Sequence, residues 1–181
     1  MTAVPPKFDV VPVTTADRWL VRDTQAIIGA CVDAGAGLGW LTPPPYDEIE
    51  AIVHSCAEGR AMGETSMVVA ILDSAQVGVG WWRRCERQSH RRNAELDKLA
   101  VDPGHHGLGI GRQIAEVLIE DARRADIDLL TLDVRSDTAH AQQLYAALGF
   151  EVYGVLRDAA VFPYGRFDKV MMVKDLRAEA R

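Results

Sequence analysis

Leu99-Ala100-Val101-Asp102-Pro103-Gly104-His105-His106-Gly107-Leu108-Gly109-Ile110-Gly111-Arg112 is the stretch on which the reading of this chain turns. It closes a strand-like run, Ala94 to Val101, which Asp102-Pro103-Gly104 stops. Beyond it Ile110, Ile114, Val117, Leu118 and Ala122 recur at near-helical spacing, which predicts an amphipathic helix over Gly109 to Ala125. Three glycines at alternate positions between strand and helix let the backbone approach a ligand and turn its N–H groups inward. The helix start adds a positive dipole end, so a pyrophosphate is the natural occupant, and Arg112 in the first turn offers a charge-assisted bond to it. A plain tight turn before a helix has the same spacing, and the glycines alone leave both readings open.

Working outward, Phe8 to Val13 reads as a first strand, at a sheet edge because Pro12 has no N–H for a ladder. Thr14 or Thr15 caps a helix through Trp19, Leu20, Ile27, Ile28 and Cys31, with Asp17 in its first turn. That helix ends in Ala34-Gly35-Ala36-Gly37-Leu38-Gly39, and a second helix follows from Tyr46 to Ala57. Thr65 to Leu72 and Val77 to Cys85 form an antiparallel pair across the turn at Asp73-Ser74-Ala75-Gln76. After the glycine loop and its helix come a buried strand, Ile127 to Val134, and a helix that begins at Asp137 or Thr138 and stops at Gly149. Strands at Phe150 to Leu156 and Phe167 to Val173 complete the order. The fold predicted is one α+β (mixed α/β) domain over residues 1–181, a mostly antiparallel twisted sheet of about six to seven strands flanked by about four helices.

A dinucleotide-binding fold competes for the loop, since Asp133 stands where a ribose-binding acid belongs. The G-x-G-x-x-G spacing fails, however: its third position is Arg112 counted from Gly107, and Ile114 counted from Gly109. The antiparallel strands before the loop also lack the repeated βαβ units of that fold.

Composition narrows the function. The net charge of −6 speaks against nucleic acid or an acidic membrane as partner. The cluster Arg83, Arg84, Arg87, Arg91 and Arg92 reads as arginines solvating a hairpin. No apolar run approaches the ~18 residues of a membrane span, and the first residues lack a basic-then-apolar signal pattern. Cys31, Cys56 and Cys85 are scattered and read as reduced thiols, so a cytoplasmic location is expected. His105 beside His106 suggests a metal, but no further ligand stands at a helical or hairpin spacing, and none is expected. His54, His90 and His140 read as ordinary surface or partly buried residues.

The quoted stretch resembles the acetyl-CoA-binding signature Q/R-x-x-G-x-G/A of the GNAT superfamily. Ala141-Gln142-Gln143-Leu144-Tyr145-Ala146-Ala147-Leu148-Gly149-Phe150 is similar to that family's second signature, A-x-x-L-Y-x-x-x-G-F. The two follow in the right order, one strand apart, and the element order fits the family over almost the whole chain. The glycine-rich end of the first helix, the strand Ala94 to Leu99 and the ending Gly165-Arg166-Phe167-Asp168 resemble the tabtoxin-resistance group within it. Two positions depart from the pattern. His106 stands where the first signature opens with Gln or Arg, and Thr138 where the second motif commonly has Asn.

The resemblance implies an N-acetyltransferase that moves the acetyl group of acetyl-CoA to a small-molecule primary amine. An acyl-CoA-binding sensor without catalysis is the alternative. It implies cofactor contacts from Leu99, Ala100, Val101, His106, Gly107, Leu108, Gly109, Ile110, Gly111, Arg112 and Thr138, and Tyr145 as acid for the leaving thiolate. Homodimers, common in the family, are a further expectation that no residue here carries. Attack on the thioester needs a free amine, and a lysine-like amine with a pKa near ~10 must first lose a proton. Glu95 and Asp97 alternate on one strand and face one side. Glu95 matches the general-base position of the family's histone acetyltransferases, and Asp133 on the next strand is a second candidate. Of Trp81 and Trp82, which alternate across a strand, one packs in the core while the other lines the acceptor site. Acceptor choice is expected to rest on Gly35 to Tyr46, the third strand and a loop from Asp158 to Arg166.

Overall fold

The computed structural model describes residues 7–177, and the N-terminal segment read for a targeting signal lies largely outside them. The chain runs β1 (Asp9–Pro12), α1 (Arg18–Asp33), α2 (Tyr46–Arg60), β2 (Thr65–Leu72), β3 (Ala75–Arg84) and β4 (Asn93–Val101). It continues α3 (Ile110–Arg124), β5 (Leu129–Arg135), α4 (Ala139–Ala147), β6 (Glu151–Phe162) and β7 (Gly165–Asp175). The strands form one seven-stranded sheet in the order β1-β2-β3-β4-β5-β7-β6. Every neighbouring pair is antiparallel except β4 with β5. This is the mixed, mostly antiparallel architecture expected, and Pro12 does lie on an edge strand.

The sheet is buried on both faces. Leu96, Leu118, Leu130 and Met172 belong to the core on the α3 and α4 side. Ile28, Ile49, Val53 and Met67 belong to the core under α1 and α2. Successive side chains of a strand point to opposite faces, so Trp82 enters the first core and Trp81 the second. Neither tryptophan is exposed, which corrects the expectation that one lines an open site. α3 settles onto β3 through two glycines. A Cβ at Gly80 would lie 2.7 Å from Ile114 and 3.0 Å from Leu118.

Several local readings change. α1 begins two or three residues later than a Thr15 or Thr14 cap requires: Asp17 takes the N-cap position, without a side-chain capping bond. Its carboxylate instead accepts from the Thr15 hydroxyl at 2.9 Å. At the other end Gly35, at φ 84°, closes α1 as the glycine run predicts, with Gly35 N–H donating to Val32 and Ala36 N–H to Cys31. The arginine cluster does not merely solvate a hairpin. Arg84 donates to the carbonyls of Gly63, Arg91 and Ala125, Arg91 pairs with Glu64, and Arg92 grips Asp128. These bonds tie four chain segments together.

The segment Asp158 to Arg166 is not an open loop. β6 continues to Phe162 and β7 starts at Gly165. Register shifts between Val152 and Gly154 and between Leu156 and Ala160 interrupt the hairpin. Asp158 sits in the second irregularity at φ 54°, its N–H donating to Asp168. Such bulges break the period of two by which a strand is recognised, so the sequence ends β6 too early.

Candidate functional site

The parallel pair β4 and β5 matches only three residues: Asn93 with Leu129, Ala94 with Leu130 and Glu95 with Thr131. Beyond Glu95 the remainder of β4 has its ladder with β3 alone, so the sheet opens into a gap along Leu96 to Val101. Within this half β4 also carries a bulge. Trp82 pairs with Leu96 and Trp81 with Lys98, leaving Asp97 without an opposite residue. Leu96 stays in the α3-side core, while Glu95, Asp97 and Lys98 come to the α1 and α2 side. Bulges of this kind re-aim side chains beside functional sites.

The glycine loop stands at the open end of the gap. Gly107 (φ 80°) and Gly109 (φ 79°) are both left-handed, and a Cβ on either would meet nothing within 4 Å. Gly109 is the N-cap of α3, so its neighbours' N–H groups sit at the positive end of that helix. An open, glycine-lined helix start fits a pyrophosphate, as acetyl-CoA would require. Gly111 differs from the other two: a Cβ there would lie 3.4 Å from Leu99 and 3.6 Å from Val101. It lets α3 approach β4, so Gly111 also serves the packing of the helix on the strand. Leu108 and Ile110 anchor the loop in the core between them.

The two departures from the family pattern are structurally engaged. His106 has its Nε2 3.0 Å from the Val101 carbonyl, turned back on its own loop. That carbonyl also accepts from the Cys31 thiol at 3.2 Å. Burial pushes the Cys31 thiol up to about 11, so it keeps its proton and the bond. The Val101 carbonyl is thereby occupied, while Leu99 and Ala100 adjoin the gap. Thr138 is the N-cap of α4 without a side-chain capping bond, and its hydroxyl meets the Asp137 carboxylate. Arg112 pairs with Glu116 at 3.0 Å along the helix, away from the loop.

Three carboxylates share the α1 and α2 side of the gap. The Glu95 carboxyl is raised, first by partial burial and then by the charges of Asp97 and Asp133. Among the described residues it has no ion-pair partner. For Asp97, burial acts upward but is outweighed by Lys98, the Trp81 N–H and Arg83, which together hold its carboxyl low. Trp81 Nε1 donates to it at 3.0 Å, so the buried indole supports the site from below. Asp133 is committed to Lys169 at 2.9 Å. Tyr145 is on the other side, buried on α4 and edge-on to Phe150 with ring centroids 5.6 Å apart. Its burial raises the phenol far above its ordinary value, so it stays protonated. Among the described residues no group of three or more His, Cys, Asp or Glu is placed to hold a metal ion.

Side chains that carry no motif lie on the same face of the sheet as Glu95. Trp40, whose Nε1 donates to Glu48, lies under the Lys98 ammonium at 5.6 Å. Arg135, at the end of β5, lies 4.8 Å from the Phe162 ring and 4.7 Å from the Phe167 ring. Only the strand alternation that puts Asp133 and Arg135 on one face was available in the sequence to find it.

The model of the acetyltransferase (GNAT) family matches residues 38–150. The ribosomal protein bS18-alanine N-acetyltransferase of Escherichia coli (strain K12) is 35% identical over 79 residues, 44% of this chain and 53% of that protein. The mycothiol acetyltransferase of Brachybacterium faecium is 33% identical over 88 residues, 49% of this chain and 27% of that one. The chain thus spans about half or less of the length of these relatives. Among solved structures, yncA of Salmonella typhimurium with its cofactor acetyl-CoA superposes with a TM-score of 0.80 at 22% identity, covering 94% of each chain. No helix of the described residues is long and apolar enough to cross a membrane.

Proposed function

The chain belongs to the acetyltransferase (GNAT) family, and from that premise we propose that it transfers the acetyl group of acetyl-CoA to the primary amine of a small molecule in a ternary complex. The observation that carries this reading is Glu95, a carboxylate with a raised pKa and no ion-pair partner at the mouth of the β4/β5 gap. A base must hold a vacant, proton-accepting oxygen near neutral pH. Asp97 and Asp133 are each already bound to a lysine.

Gly107 and Gly109 would hold the pyrophosphate through backbone N–H groups, and the unpaired edge of β4 at Leu99 and Ala100 would orient the pantetheine arm. The cofactor supplies the acetyl thioester. Glu95 takes a proton from the ammonium of the acceptor, directly or through one water. The freed lone pair then forms the new C–N bond as the C–S bond breaks. The nitrogen sheds its second proton as the amide forms, and that proton neutralises the departing thiolate through the Tyr145 hydroxyl, which gives its own proton to sulfur as it accepts this one. Burial keeps the phenol protonated and able to hydrogen-bond the sulfur, and its raised pKa means that it releases its own proton only as it gains another.

Trp40 and the ring cluster Phe162, Tyr164 and Phe167 wall the acceptor side, which favours a small amine over a polypeptide. In the test, thiol release from acetyl-CoA is followed with a panel of small amines and with peptides bearing N-terminal alanine. Turnover with small amines is expected, and Tyr145→Phe should lower kcat by roughly 100-fold with acetyl-CoA affinity unchanged. Faster turnover of the peptides would overturn the small-molecule reading. Acetyl-CoA binding without turnover of any amine would favour a sensor of the same fold.

A further inference from the structure

Arg135 is the most heavily bonded side chain near the gap, and nothing in the acetyl-transfer chemistry uses it. Its side chain is only 10% exposed. Nε donates to Asp137 at 2.6 Å, one terminal nitrogen to the Tyr164 hydroxyl at 3.2 Å and the other to the Gly35 carbonyl at 2.9 Å. The guanidinium carbon also lies over the Phe162 ring at 4.8 Å and the Phe167 ring at 4.7 Å, two rings that meet edge to face at 5.9 Å. Gly37 packs on its stem, where a Cβ would come within 3.2 Å of the Arg135 Cβ.

These contacts join three segments far apart in sequence: the end of β5, the glycine-rich loop after α1, and the tip of the β6–β7 hairpin. The loop leads to Gly39 and Trp40 beside Lys98, and the tip carries the aromatic wall. All of them lie on the α1 and α2 side of the sheet, the side of Glu95. The loop otherwise packs Ala36, Leu38 and Trp40 on the core under α1 and α2, and the tip is otherwise held by its own ladder, Phe162 with Gly165 and Val161 with Arg166. The loop contains no helix or strand from Ala34 to Pro45, and Tyr164 is exposed apart from its bond to Arg135 and its ring contacts.

We propose that Arg135 is a positioning residue that clasps the loop after α1 to the β6–β7 tip and so fixes the width of the acceptor end of the cleft. This rests on the acceptor lying on the Glu95 side. The planar fork is what allows one side chain to reach a carboxylate, a hydroxyl and a carbonyl while its charge lies over two aromatic rings. A lysine keeps the charge but has neither the fork nor the flat face.

Arg135→Lys separates the clasp from mere charge. Hydrogen exchange, read in the free protein, should accelerate about tenfold in both the Ala34–Leu38 and the Phe162–Arg166 amides, because one opening event releases both. In turnover with the best amine of the panel, KM for the amine should rise about tenfold, while KM for acetyl-CoA and kcat stay within about twofold. Gly37→Ala, which presses on the Arg135 stem without removing any donor, should shift both readouts in the same direction by less. It serves if Arg135→Lys folds poorly. Faster exchange in one segment alone, or a parallel rise in both KM values, would overturn the clasp. If the wild-type protein acetylates no amine, the acceptor reading falls, and the paired exchange result still decides whether Arg135 joins the two segments.

Discussion

The two ends of the cleft are built by different means. At the proposed cofactor end the ligand-facing groups would be main-chain N–H groups, presented by Gly107 and Gly109 at the start of α3 and anchored by the buried Ile110. At the proposed acceptor end they would be side chains, delivered by β4, β5, the loop after α1 and the β6–β7 tip, and held in place by one another. A backbone site is specified by conformation and tolerates side-chain change. A side-chain site is specified by composition and can be rebuilt without altering the fold. One end is therefore suited to a constant ligand and the other to a variable one.

That contrast is most exposed to Gly109→Val. The left-handed backbone costs a β-branched residue about 1–2 kcal/mol, which lowers Tm by a few degrees in a domain of this size. The new side chain meets nothing in the free protein, so the fold survives. In the complex it would occupy the phosphate's place. Acetyl-CoA affinity should fall at least ~100-fold by calorimetry, or about 3 kcal/mol, and the thermal shift caused by acetyl-CoA should vanish. An affinity within threefold of wild type would show that the loop is not the phosphate site.

Glu95→Gln tests the other end and should leave acetyl-CoA affinity unchanged. Turnover at neutral pH should fall by roughly 10–100-fold. In the wild type, activity should decline as pH falls through the raised Glu95 pKa, because the base becomes protonated, and the variant should lose this limb. The stability sign is opposite to that of a salt-bridged acid. A raised folded-state pKa means that the native protein binds the Glu95 proton more tightly than the unfolded chain does. The cost of ionising it is therefore absent at low pH and is fully felt above the folded pKa. Glu95→Gln should consequently be at least as stable as wild type at pH 7. An active variant with an unchanged acid limb would move the base role elsewhere.

The same division decided what the sequence could reveal. The element order and the glycine loop were legible because strand stops, αL glycines and an amphipathic helix leave local marks. Glu95, Asp133 and Tyr145 were located by strand alternation or by a short signature. The bulge at Asp97 was not, since it depends on the register against Trp81 and Trp82 on another strand. Nor was Arg135, whose partners lie at Gly35, Asp137 and Tyr164. Nor did the spacing show that three equivalent-looking glycines differ in surroundings, with Gly107 and Gly109 open and Gly111 packed near Leu99 and Val101. Contacts between distant segments leave no period to count.

The smallest expected effect bears on whether the cofactor end is truly a backbone site. Arg112 is in the first turn of α3, where a cation aids an anion, yet its guanidinium is engaged by Glu116 at 3.0 Å and both side chains are about half exposed. Such an i,i+4 pair is worth only ~0.3–0.5 kcal/mol. Arg112 therefore gains little by staying with Glu116 and contributes little to the phosphates beyond general charge. Arg112→Ala should weaken acetyl-CoA two- to threefold by titration, roughly 0.5 kcal/mol of helix-terminal electrostatics. Glu116→Gln removes the competing anion and should strengthen binding by a similar factor, with both effects shrinking in high salt as exposed charges are screened. A tenfold or larger loss in Arg112→Ala would mean that the guanidinium leaves Glu116 for the ligand. The cofactor end would then depend on a side chain as the acceptor end does, and the contrast between them would narrow to one of degree.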